Sequence, residues 1–190
     1  LINDKGLAVV PLKAMCYRLP PTFRDSKGVV VPFHKILTVD RKRSLAIVQL
    51  ESGKREGLKL ASNGAAPRDQ IALLWDDISR KTQGVLDGPV LARRQIYKWG
   101  PESSFYLSLG FYLGGDNPSA RKGSPVINSH GELVGIYTST HRESVDVPKQ
   151  TLAVTSQDIA ELLKMAEANP QGLPFPLVED NPFDQVFWEY

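Results

Sequence analysis

Over the first three quarters of the chain, apolar residues come in short runs separated by turn-forming clusters. Asn3-Asp4-Lys5-Gly6 is a turn signal that leads into the apolar run 7–12, and Asp25-Ser26-Lys27-Gly28 is a second that leads into Val29-Val30-Val31. Runs at 36–39 and 45–50 flank a charged corner that starts at Asp40 and ends at Arg43. Further runs follow at 71–75, 85–91, 105–109, 125–128, 133–138 and 151–154. Short strands at this spacing, punctuated by turn signals, predict an all-β barrel or sandwich.

One segment changes period. Ile159, Leu162, Leu163 and Ala166 recur at the three-four spacing of a buried helical stripe. Ser156 is placed to cap a helix over 157–168, Asp158 suits the positive end of its dipole, and Asn169-Pro170 ends it. Beyond it, 171–190 is rich in proline, acid and aromatics, with Leu173, Phe175, Leu177, Phe183, Val186, Phe187, Trp188 and Tyr190. That much apolar surface needs something to cover it. The expected organisation is one domain over 1–168 and a proline- and aromatic-rich extension over 169–190. Internal repeats and low-complexity segments are absent from the sequence.

Composition narrows the function classes. A chain of 190 residues with 42% apolar and 23% charged residues is one ordinary globular domain by size and not a disordered one. The formal net charge of +2 gives no electrostatic reason to expect nucleic acid or an anionic membrane as partner. Trp75, Trp99 and Trp188 then read as core or interface, and Arg41-Lys42-Arg43 and Arg93-Arg94 as solvated loops. Cys16 is the one cysteine, so an internal disulfide is excluded; no Cys/His group has metal-ligand spacing, and no cofactor is expected. No apolar run approaches the ~20 residues of a membrane-spanning helix. The start on Leu1-Ile2 and a turn has no signal-peptide pattern, which leads to the expectation of an excised domain whose targeting segment is missing.

The most informative stretch is Ser119-Ala120-Arg121-Lys122-Gly123-Ser124-Pro125-Val126-Ile127-Asn128, followed by Gly131-Glu132-Leu133-Val134-Gly135-Ile136. It resembles the nucleophile loop of trypsin-fold serine proteases of the HtrA/Deg kind. Gly6-Leu7-Ala8-Val9-Val10-Pro11-Leu12-Lys13-Ala14-Met15 resembles the strand that carries that family's histidine base. Thr38-Val39-Asp40-Arg41-Lys42-Arg43-Ser44-Leu45-Ala46 resembles the segment of the orienting aspartate. Pro67-Arg68-Asp69-Gln70-Ile71-Ala72-Leu73-Leu74 is similar to a strand of the second barrel, and Leu152-Ala153-Val154-Thr155-Ser156 to the approach to the C-terminal helix. The five come in the family's order over about residues 1–165. The resemblance implies an all-β fold of two six-stranded chymotrypsin/trypsin-like barrels with a C-terminal helix, here followed by an aromatic tail.

At the three positions where the family has His, Asp and Ser, this chain has Lys13, Ser44 and Lys122. Acyl transfer needs a hydroxyl or thiol activated by a base, and a lysine at the nucleophile position supplies neither. The resemblance therefore implies a pseudoprotease with no catalytic residues. Its function would be to bind a peptide or protein in the former substrate groove, by strand addition beside Tyr137, Thr138, Ser139, Thr140 and His141. The family also implies an extracytoplasmic location, oligomers assembled through loops, and, among its degenerate members, metal-recruiting proteins of magnetosome assembly. Lys13 and Lys122 either extend into solvent or bind a carboxylate. The chain's own tail offers Glu179, Asp180, Asp184, Glu189 and the terminal carboxylate of Tyr190. The oxyanion-hole segment, 120–122, lacks the glycine that its unusual backbone angles favour. Rival readings are an active protease using His34, Asp40 and Ser124, a Ser44–lysine dyad, or metal binding through His34, His130 and His141.

Overall fold

The computed structural model describes residues 5–177 apart from positions 26, 42, 52–56, 78–81, 100–104, 114–121 and 142–149. The first half contains β1 (Leu7–Pro11), a 3-10 turn η1 (Leu12–Met15), β2 (Phe23–Arg24), β3 (Val30–Val31), β4 (Phe33–Asp40) and β5 (Leu45–Leu50). The second contains β6 (Gln70–Asp77), β7 (Thr82–Trp99), β8 (Phe105–Leu113), β9 (Pro125–Asn128), β10 (Leu133–His141), β11 (Gln150–Thr155) and the helix α1 (Ser156–Ala168).

The second half closes a six-stranded barrel in the order β10-β11-β8-β7-β6-β9, every described pair antiparallel. The first half does not match the expectation of a second six-stranded barrel. Among the described residues it is a three-stranded sheet, β1-β5-β4, with a separate β2-β3 ribbon. Proline is part of the reason. Pro20, Pro21 and Pro32 have no N–H to give a ladder, and the strand run that begins at Leu7 ends at Pro11, where the chain tightens into η1.

Strand β5 explains how the halves join. Side chains alternate across a strand, so an unbroken apolar run must be buried on both faces. Leu45 and Ile47 join one cluster, with Leu7 and Leu37 from the same sheet, Leu133, Ile136 and Val154 from the barrel, and Ile159, Leu162 and Ala166 from α1. Ala46, Val48 and Leu50 face the other way, toward Val10, Leu12, Met15 and Ile36. The first sheet is thus the middle layer between its own core and a cluster shared with the barrel and helix. A third cluster, including Leu73, Val90, Val126, Tyr137 and Ala153, fills the barrel.

Three sequence expectations are corrected here. Arg93 and Arg94 are not in a loop: they lie within the 18-residue strand β7, paired with Phe111 and Gly110 of β8. The helix cap is Thr155, whose Oγ1 accepts from the N–H of Asp158 at 3.3 Å; Ser156 is the first helical residue and is buried. The third is Arg43, which is engaged rather than solvated, as described below; Arg41 is exposed as expected, and Lys42 lies outside the described residues. The extension does find cover: Leu173, Phe175 and Leu177 pack on the first half's core. Phe183, Val186, Phe187, Trp188 and Tyr190 lie outside the described residues.

Candidate functional site

The corner between β4 and β5 is built by charge and backbone conformation together. The N–H of Arg43 donates to Asp40 Oδ1 at 3.0 Å, which closes the turn. Ser44 then takes a left-handed φ of 57°, a conformation that costs a non-glycine residue energy and turns the chain sharply into β5. Its carbonyl accepts the N–H of Leu12 at 2.9 Å. This bond joins the corner to the first residue of η1, next to Lys13. The segments that resemble the base and orienter strands therefore meet.

Arg43 anchors the corner to the helix. Its guanidinium bridges Asp40 Oδ2 at 2.5 Å and Asp158 Oδ1 at 2.6 Å, with Glu161 at 3.5 Å. Asp158 also accepts from Thr155 Oγ1 at 2.8 Å. Burial works to lower the Arg43 pKa, but the hydrogen bond to Asp40 and the charges of Asp158 and Asp40 outweigh it, so the pKa ends raised. The shape of the guanidinium fork matters here, since two carboxylates on different elements are held by one planar group. Sequence reading missed this residue; the available signal was an Asp–Arg pair at i, i+3 together with an acidic residue in the first helical turn.

The loop before β9 arrives from the other half. Gly123 has a φ of 97°, and a Cβ placed on it would lie 3.0 Å from Cδ of Pro11. A side chain there would be strained and crowded at once. The N–H of Gly123 donates to the carbonyl of Tyr137 at 2.8 Å, and the N–H of Tyr137 to that of Ser124 at 2.9 Å. So the residue after Lys122 touches the residue two before Lys13, and Ser44 bonds the residue between them. Positions 13, 44 and 122 share one seam between the sheet and the barrel.

The side chains at the seam differ from one expectation. Lys13 and Lys122 are both exposed, and Ser44 is half-buried. Two desolvated ammonium groups confined in a closed site are not what the fold contains. The tail carboxylates from Glu179 to Tyr190 and the oxyanion residues Ala120 and Arg121 lie outside the described residues. On β10, the register with β9 ends at Ile136, opposite Pro125, while the register with β11 runs on to His141. Tyr137 is buried and Thr138 half-buried; Ser139, Thr140 and His141 are placed as strand backbone.

The His34, Asp40 and Ser124 trio is not assembled. His34 and Asp40 are six steps apart on β4, roughly 20 Å at ~3.3 Å per residue, and the Asp40 carboxylate is held by Arg43. His34 is exposed and Ser124 buried. His130 is exposed in the β9–β10 turn, its N–H donating to Asn128 Oδ1 at 3.0 Å. Among the described residues, no three of His, Cys, Asp and Glu gather as metal ligands. Nor is any described helix long and apolar enough to cross a membrane.

Solved structures give this arrangement a context. The chain superposes on the Rv3671c protease of M. tuberculosis in its active form with a TM-score of 0.72, at 11% identity, covering 94% of this chain and 74% of that one. The fold is that of the trypsin-like serine proteases. A serine endoprotease from Yersinia pestis matches with a TM-score of 0.67 at 13% identity, over 90% of this chain and 57% of that one. The HtrA-type protease AlgW, solved with a decapeptide, matches at 0.65 and 14%, over 88% and 50%. This chain therefore spans about half the length of those two proteases. No protein-family model matches the chain, and no curated protein matches its sequence. An inactive, serine-to-alanine form of the M. tuberculosis protease superposes as well, with a TM-score of 0.70.

Proposed function

We propose that this chain is a non-catalytic module on the trypsin-like protease fold, a pseudoprotease that binds a peptide or protein segment along the former substrate groove. The supporting observation is the shared seam: the three aligned positions converge through Leu12–Ser44 and Gly123–Pro11, and they carry Lys13, Ser44 and Lys122. In this reading Lys122 has no hydroxyl to attack a carbonyl, and Lys13 has no imidazole to accept the proton. Binding does not need either. Strand addition uses main-chain N–H and C=O groups, so the stretch of β10 from Tyr137 to His141 keeps its recognition role when the chemistry is gone. Lys13 and Lys122, both exposed, add positive charge beside the groove and favour a segment bearing a carboxylate. By the same family resemblance we assign the protein to an extracytoplasmic compartment and to assemblies with itself or with partners.

The deciding experiment restores the chemistry. The wild-type chain should take no label from a fluorophosphonate. The triple variant Lys13→His, Ser44→Asp, Lys122→Ser should be labelled at position 122, because it rebuilds base, orienter and nucleophile on one seam. Peptides of extended, acid-containing sequence should protect backbone amides within 139–141, beyond the Tyr137 N–H that Ser124 already accepts, from exchange in the wild type. Labelling of any serine in the wild-type chain would overturn the reading.

A further inference from the structure

Residues 169–177 leave α1 and run back over the first sheet to η1, with a contact at nearly every step. Asn169 Nδ2 donates to the carbonyl of Leu37 at 3.2 Å, and Lys35 Nζ to that of Pro170. Gly172, at a φ of 77°, passes so close to β4 that a Cβ would lie 2.6 Å from the carbonyl oxygen of Ile36. The N–H of Leu173 donates to that same oxygen at 2.7 Å, an isolated antiparallel bridge. The Phe175 ring meets Phe33 edge-on with centroids 5.4 Å apart. Finally, the N–H of Leu177 donates to the carbonyl of Met15, the last residue of η1, at 3.1 Å.

A four-residue 3-10 turn has too few internal bonds to hold itself. Its first N–H is taken by Ser44 and its last carbonyl by Leu177, so η1 is held at both ends by segments distant in sequence. Between those ends it carries Lys13, and it continues directly from Pro11, which abuts Gly123. We propose that residues 169–177 form a strap that sets the order of η1, so that the C-terminal segment controls the first-half wall of the seam. The inference goes beyond the binding reading and does not depend on it, because it concerns the coupling of two segments of this chain.

The geometry favours release of the strap's far end over wider opening. Phe175 and Leu177 are half-buried, whereas Ile47 and Val48 of the adjoining sheet are fully buried, so the strap can open while the sheet stays closed. Cys16 reports such opening. It is the chain's one cysteine and the C-cap of η1, half-buried, with Sγ 3.5 Å from the carbonyl of Leu12. Because the thiol is half-buried, the wild-type chain sets a baseline for its reaction with Ellman's reagent, and the increase over that baseline tracks opening of η1.

The test uses the full 190-residue chain and three variants. Phe175→Ala removes the ring contact, Leu177→Pro removes the N–H that Met15 accepts, and Pro174→Ala alters an exposed strap residue as a control. The first two should speed Cys16 labelling about tenfold, a shift of the size that loss of one such contact produces in a local opening equilibrium. Pro174→Ala should leave it within twofold, and exchange of the buried Ala153 and Val154 amides should stay unchanged throughout. Unchanged labelling in both Phe175→Ala and Leu177→Pro overturns the proposal. So does faster labelling matched by equally faster exchange in β11, which would make the strap a general stabiliser with no particular hold on η1.

Discussion

Replacing Arg43 by alanine should destabilise the protein well beyond an ordinary surface change. The side chain is about one quarter exposed, and its partners Asp40 and Asp158 are less exposed still, at 12% and 9%. Removing one member of a fully buried ion pair costs about 3–5 kcal/mol, because the remaining charge is left without compensation. Two considerations reduce that here. Water reaches part of the guanidinium, and Asp158 retains the Thr155 hydroxyl and its place in the first turn of α1. A third acts the other way, since two carboxylates would then face one another across the vacated space. The net expectation is a loss of about 2–3 kcal/mol, or about 4–12 °C in Tm for a chain of this size. Arg43→Lys should recover less than half of it, because one ammonium cannot bond both carboxylates as the fork does. Urea denaturation followed by tryptophan fluorescence measures both variants. A loss below about 0.5 kcal/mol for Arg43→Ala, the range of an ordinary surface change, would refute the account of the corner.

Gly123→Ala should cost about 1–3 kcal/mol in urea denaturation, since it combines a positive φ with a methyl pressed against Pro11; a neutral effect would mean the seam is not tight there. The exposed Lys59–Glu132 pair, at 2.7 Å, predicts a small pH dependence at both ends. The hydrogen bond from Lys59, with a second from Asn128, lowers the Glu132 pKa below its ordinary 4.5, so its contribution is present above that value and is lost as pH falls through the lower, folded one. The hydrogen bond to Glu132 raises Lys59 above 10.5, so that contribution is present below 10.5 and is lost as pH rises through the raised value. The stability difference between wild type and Glu132→Gln should accordingly shrink below pH 4.5, and a difference that grows there would contradict the assignment.

Most strands were legible because their signal is local. The apolar runs at 45–50 and 133–138 and the turns between them depend only on neighbouring residues, and the helix over 157–168 only on its three-four stripe. The aligned motifs also named three segments, around Lys13, Ser44 and Lys122, that the fold brings together. Local pattern was weaker where partners are distant. Arg93 and Arg94 look like a loop, yet pairing with β8 makes them strand. Arg43 looks like part of a solvated basic cluster until the helix brings Asp158 to it. The second six-stranded barrel came from family resemblance, whereas among the described residues the first half is a three-stranded sheet and a two-stranded ribbon, with prolines that cannot donate to a ladder.

From its residues alone, the chain is committed to short strands, one helix, and Lys13, Ser44 and Lys122 at the positions that resemble the family's triad. Side-chain identity is a property of the chain, and no folding gives a lysine the hydroxyl of a serine. Tertiary structure alone decided that those positions share a seam, that both lysines reach solvent, that Arg43 ties the corner to the helix, and that residues 169–177 return to η1. Each of these depends on contacts between segments tens to more than a hundred residues apart, and such contacts follow from how whole layers pack, which no local window of sequence encodes.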